Sequence, residues 1–132
     1  MENPSVMSHV SVGVSDLARA GAFYDAVLAP LGAVRILDEG FAIAYGRQFP
    51  EFWVGAPHDG QSPAPGNGVH FAFMASSRDQ VHSFHAAALA AGGTDDGPPG
   101  PRPHYGAEYY GAFVRDPDGN KVEAMVWEGP PA

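Results

Sequence analysis

The sequence predicts an α+β fold: two βαβββ modules in tandem, forming one curved mixed sheet with two helices on its convex face. Three observations carry this. Residues 61 positions apart match without a gap at His9/His70, Ser15/Ser76, Phe23/Phe84, Ala26/Ala87, Leu28/Leu89, Ala29/Ala90 and Gly32/Gly93, so a strand, a helix cap, a helix face and a helix stop recur in the same order. Each copy opens on strict two-residue alternation and passes into an apolar stripe at helical spacing. Near its end the chain carries a hairpin signal, Asp116-Pro117-Asp118-Gly119-Asn120 between two β-like runs. Residues 1–132 read as a single domain, with a first module over 9–55, a linker over 56–67 and a second module over 68–127.

The elements follow in order. After a short tail over residues 1–8, Val10, Val12 and Val14 alternate with His9, Ser11 and Gly13, a half-buried strand. Ser15 or Asp16 caps a helix reaching about residue 29, with Leu17, Ala20, Phe23, Tyr24, Val27 and Leu28 on one face and Pro30 and Gly32 as its stop. Strands are expected over 33–37, 41–45 and 51–55, the last with Phe52 and Val54 opposite Glu51 and Trp53. The second copy repeats this. A strand over 68–74 sets Val69, Phe71 and Phe73 against His70, Ala72 and Met74. Ser76 or Ser77 caps a helix to about residue 91 with Val81, Phe84, Ala88 and Leu89 as its stripe. A weak strand near 94–97, a Pro/Gly loop over 98–107 and the hairpin complete it, with Val122, Ala124 and Val126 facing away from Lys121, Glu123, Met125 and Trp127.

Composition narrows the function. The formal charge is −8 with seven Lys plus Arg and no basic cluster, which argues against nucleic acid or an anionic membrane surface as partner. With no Cys there are no disulfides, thiolate metal sites or Cys nucleophiles. No apolar run approaches the roughly 18 residues of a membrane span and no signal peptide opens the chain, so a cytoplasmic location is expected.

The chemistry is expected on the face opposite the helices, where the strands carry His9, Glu51 or Trp53, His70 and Glu123. A lone histidine on a strand is ordinarily solvent-facing or hydrogen-bonded in place. Two at equivalent positions of a repeat, with a carboxylate on the same face, are a ligand set for a divalent first-row metal that leaves positions open for substrate. His82 and His85 on the second helix and His58 in the linker are weaker candidates. His104, in the 98–107 loop, stands where it can cover the cleft and touch substrate.

The doubled module, the histidine at the start of each copy, and Asp116-Pro117-Asp118-Gly119-Asn120 followed by Val122-Glu123 resemble the vicinal oxygen chelate superfamily, which includes glyoxalases, epimerases, extradiol dioxygenases, fosfomycin-resistance enzymes and bleomycin-resistance proteins. The resemblance spans His9 to Trp127 and implies His9, His70 and Glu123 as metal ligands, for Zn, Ni, Mn or Fe, and a homodimer. It also puts Phe113 in the cleft, and alternation adds Tyr109. Trp53, Tyr109, Phe113 and His104 are then the substrate-binding residues and Glu123 the catalytic one. The fourth ligand position of glyoxalases falls on Glu51 or Trp53; Trp53 there leaves a three-ligand site. The implied activity is that of a metal-dependent lyase or isomerase whose small substrate chelates through two oxygens. Glu51, Tyr109 and His104 are its candidate bases. Fosfomycin-type transfer calls for cations around a phosphonate, which seven scattered Lys and Arg do not suggest. The alternative is a metal-free small-molecule binding protein of the bleomycin-resistance type.

Overall fold

A computed structural model describes residues 4–128; the first three residues of the expected tail lie outside the described residues. Strands β1 (Val10–Gly13), β2 (Val34–Asp38), β3 (Ala42–Gly46) and β4 (Phe52–Gly55) and helix α1 (Leu17–Leu28) make the first module. Strands β5 (Phe71–Met74), β6 (Thr94–Pro101), β7 (Tyr109–Arg115) and β8 (Lys121–Trp127) and helix α2 (Arg78–Ala90) make the second. The mixed surface is built as two four-stranded sheets, ordered β1-β4-β3-β2 and β5-β8-β7-β6. In each, the first strand runs parallel to the last and the remaining pairs are antiparallel.

Local chemistry sets the boundaries. Asp16 caps α1, accepting from the Arg19 amide at 3.0 Å. Ser77 caps α2 through the Gln80 amide at 3.2 Å, while Gln80 Oε1 reaches back to the Ser76 amide at 2.7 Å, a capping box shifted by one position. After α1 a single 3-10 turn (Ala29–Leu31) ends at Gly32, whose φ of 77° suits glycine. Both repeat-equivalent histidines fall one residue before their strands.

Three sequence expectations change. β6 continues through Pro98, Pro99 and Pro101 instead of stopping at 97; it is an edge strand with register shifts, where the missing N–H groups leave no central ladder bond unmade. Leu89, expected in the α2 stripe, is 45% exposed. Val69, expected on the apolar face of β5, sits in the preceding turn, its amide bonded to the Gly66 carbonyl at 3.2 Å.

The core lies between the helices and the inner faces of both sheets. Phe52 of β4 packs 5.0 Å from Tyr24 and 5.0 Å from Phe73 of β5, so one ring bridges both modules. Phe23, Tyr24, Val27, Val54, Val81, Phe84 and Val122 are fully buried around it.

A polar latch joins the modules beside this core. The hairpin turn folds around Asp116, whose Oδ1 accepts the Asp118 and Asn120 amides, each at 2.9 Å. Its Oδ2 accepts the Tyr24 hydroxyl at 2.7 Å and Asn120 Nδ2 at 2.9 Å. Asn120 Nδ2 also reaches the Gly13 carbonyl at the end of β1, and the Ser15 amide donates to Asp118 Oδ1. Burial, then the Asp116 carboxylate, pushes the Tyr24 phenol well above its ordinary pKa, so it remains the donor. Tyr24→Phe leaves a buried carboxylate oxygen one donor short. We expect a loss of about 1–3 kcal/mol, read as a lower urea midpoint at unchanged slope.

Candidate functional site

Alternation along β8 sends Val122 and Ala124 into the core and Glu123 to the opposite face, yet Glu123 is only 1% exposed. Its neighbours explain why. Glycine stands nearby at position 111 of β7, where an added Cβ would lie 3.1 Å from Glu123 Oε2. The carboxylate occupies the space a side chain there would fill. Phe113 is its direct cross-strand partner. The Tyr109 hydroxyl donates a short hydrogen bond to Oε2, and His70 Nε2 stands 3.2 Å from Oε1. One carboxylate oxygen thus meets a phenol and the other an imidazole.

Burial, followed by the hydrogen bond and charge of Glu123, pushes the Tyr109 phenol well above its usual pKa. It acts as a donor here, which removes it from the candidate bases. His70 keeps 40% of its side chain exposed and so connects the buried carboxylate to the open surface.

The other expected residues distribute as follows. Phe113 is only 6% exposed, less a free wall than a platform: His70 lies 5.8 Å from its ring, Arg102 5.5 Å and Lys121 4.9 Å. His104 is exposed and stacks on Tyr105 at 4.3 Å; Tyr105 in turn packs edge-on against Tyr109 at 5.1 Å. The loop over 102–108 therefore covers the site chiefly through Tyr105, and His104 reaches it at one remove.

Trp53 lies in the first sheet, paired with Ser11 and Ala44. Val10 pairs with Phe52, and its repeat equivalent Phe71 pairs with Val122. The shared register aligns Trp53, not Glu51, with Glu123. His9 is exposed, with Nδ1 2.9 Å from Ser8 Oγ. It lines a cavity of about 630 Å³ with Arg47, Glu51, Phe52, Phe71 and Phe73. His70 lines a separate one of about 470 Å³ with Arg115 and Lys121.

The structure therefore brings together Glu123, His70, Tyr109 and Phe113. It does not bring His9 to them: among the described residues no three His, Asp or Glu side chains gather as a ready-made metal cluster. His70 and Glu123 on their own fit a divalent ion, offering an imidazole nitrogen and a carboxylate oxygen at one point of an open face. His82 and His85 are engaged elsewhere, with the Tyr110 hydroxyl at 2.6 Å and Asp95 at 2.8 Å. The sequence reading passed over Tyr105, Gly111, Arg115 and Lys121. Alternation places the last three on the Glu123 face of their strands and was the available signal.

Comparison with known proteins agrees with the fold and the hairpin. The model of the glyoxalase/bleomycin resistance protein/dioxygenase superfamily matches residues 6–124. A glyoxalase/bleomycin resistance protein from Albidiferax ferrireducens T118 is 40% identical, with a TM-score of 0.86 over 92% of this chain and 99% of that one. A glyoxalase-related enzyme from Fulvimarina pelagi shares the fold at 21% identity, with a TM-score of 0.71 over 94% of this chain and 88% of that one. The fosfomycin resistance protein FosX from Listeria monocytogenes does so at 20% identity, with a TM-score of 0.66 over 92% and 93%. No curated protein matches. With the family model covering nearly its whole length, the chain belongs to the glyoxalase/bleomycin resistance protein/dioxygenase superfamily.

Proposed function

We propose that this protein is a metal-dependent enzyme of the lyase or isomerase type, acting on a small substrate that presents two neighbouring oxygens. The observation that carries this reading is the buried Glu123 carboxylate, held by Tyr109 on one oxygen and faced by His70 on the other. A carboxylate that is 1% exposed is costly to keep charged unless it is fully partnered, and a cation is the partner chemistry these donors suit.

His70 and Glu123 hold the ion, and His9 completes the set as third ligand, which requires it to leave both Ser8 and the separate cavity that it lines in this structure. A divalent ion held by these residues would supply Lewis-acid polarisation of the substrate oxygens and stabilisation of the negative charge developing on them. Tyr109 fixes the orientation of Glu123 by donating to Oε2, which leaves Oε1 on the His70 side. Tyr105 and His104 cover the site and limit access of water. The alignment of Trp53 with Glu123 supports a three-ligand site with open positions for substrate. The protein acts in the cytoplasm as a homodimer, in keeping with exposed Val6, Met7, Phe41, Phe49 and Met74. Among the described residues no helix is long and apolar enough to cross a membrane.

A second reading rests on a different observation. The cavity of about 630 Å³ is lined by Leu28, Leu31, Phe49, Phe52, Phe71 and Phe73 among others, which suits metal-free capture of an amphipathic small molecule.

Calorimetric titration of chelator-treated protein with Zn, Ni and Mn separates the two. We expect stoichiometric binding of at least one ion, lost in His70→Ala and Glu123→Gln and unchanged in Glu51→Gln. Wild-type and His70→Ala proteins taking up metal alike would refute the metal site, and a ten-fold loss in Glu51→Gln would overturn the assignment of Trp53. Tyr109→Phe, which leaves both direct ligands in place, should weaken metal binding by about ten-fold or more through misorientation of Glu123.

A further inference from the structure

We infer that the cavity beside His70 is an anion subsite that takes the carboxylate of a small substrate, with Lys121 as the residue that selects it. The inference rests on the proposed reactive centre only for its location and extends that reading to a substrate class: small carboxylic acids whose adjacent oxygens face His70 and Glu123.

The cavity, about 470 Å³, is formed by segment 65–70 together with Arg115 and Lys121. That volume is near the small end of the range for ligand sites. Two of the chain's seven Lys and Arg line it, and Arg102 stands a little way off, against the Phe113 ring that Lys121 also contacts. Arg102 and Lys121 lie over the Phe113 ring and Arg115 is paired beside Lys121, with Asp95, Asp96 and the buried Glu123 as the acidic side chains among them. In a chain of net charge −8, Arg115 and Lys121 place two cations on one small cavity that also reaches His70, so an anion entering beside the carboxylate–imidazole pair meets positive charge.

The three cations differ in what they have left to offer. Arg102 bonds the carbonyl oxygens of Pro98, Gly100 and Pro101 and is committed to shaping its loop. Arg115 is bound to Asp96 at 3.1 Å and to the Gly119 carbonyl at 3.0 Å. Among the described residues Lys121 has a single ionic partner, the same Asp96 oxygen, at the longer distance of 3.5 Å. An ammonium has three rotatable donors, so Lys121 can meet an incoming carboxylate without abandoning Asp96. It also lies two residues from Glu123 on the same face of β8, which sets the anion beside the reactive pair.

The test uses pyruvate and its uncharged ester methyl pyruvate as probes, added to chelator-treated protein and followed by NMR shifts of the His70 ring and the Lys121 and Gly68 amides. Pyruvate is expected to shift these signals saturably, and methyl pyruvate is not. Lys121→Gln should weaken pyruvate binding roughly ten-fold, the loss of one charge-assisted hydrogen bond. Lys121→Arg should retain binding, which separates loss of charge from loss of fold. Equal binding of the ester, no saturable shift with pyruvate, or unchanged affinity in Lys121→Gln would overturn the subsite. Failure of the metal titration alongside Lys121-dependent pyruvate binding would instead remove the metal reading and leave the subsite standing.

Discussion

Asp116 is the point on which both modules depend. It is 3% exposed, closes its own turn with one oxygen, and with the other receives Tyr24 from the first module's helix. A buried carboxylate tolerates little loss of donors, so the turn can adopt one conformation only while α1 is docked against it. Asn120 extends the same network to the end of β1. Because Asn120 leads directly into β8, the latch also fixes where that strand begins, and hence which residues face the core. A slip of one residue in β8 would bury Lys121 and Glu123 against the helices.

A second buried carboxylate is tolerated for a different reason. Glu123 points away from the apolar interior but is enclosed by its own sheet, through the missing side chain at Gly111 and the hydroxyl of Tyr109. A Gln in its place would satisfy much of the same packing. Keeping the charge costs stability, and the imidazole at 3.2 Å with an open face beyond it gives that cost a functional sense. The latch and the site are therefore linked by six residues of chain: Asp116 sets the start of the strand, and the strand delivers Glu123 to His70.

Alternation and the repeat made much of this legible in the sequence. The strand faces carrying Glu123 and His70, the helix stripes and the chemistry of the hairpin turn all follow from spacing. Other features were not legible because they depend on register or on contacts between distant segments. Glu51 and Trp53 share a face, and only the parallel pairing of β1 with β4 aligns Trp53 with Glu123. The Pro-rich course of β6 reads as loop because proline weakens any strand signal, and only its edge position makes it a strand. The cations are scattered along the chain, whereas hairpin pairing sets Arg115 beside Lys121 and the loop over 102–108 brings Arg102 to the Phe113 ring that Lys121 also contacts. The equivalence of His9 and His70 in sequence led to the expectation of a shared site, but in the fold the two line separate cavities.

His70 and Glu123 should hold a metal ion between them. Anomalous diffraction at the zinc edge, from crystals of protein loaded with zinc, addresses it directly. A peak is expected within about 2.0–2.3 Å of a His70 nitrogen and a Glu123 oxygen. A peak only elsewhere, with His70 still bonded directly to the Glu123 carboxylate, would contradict it.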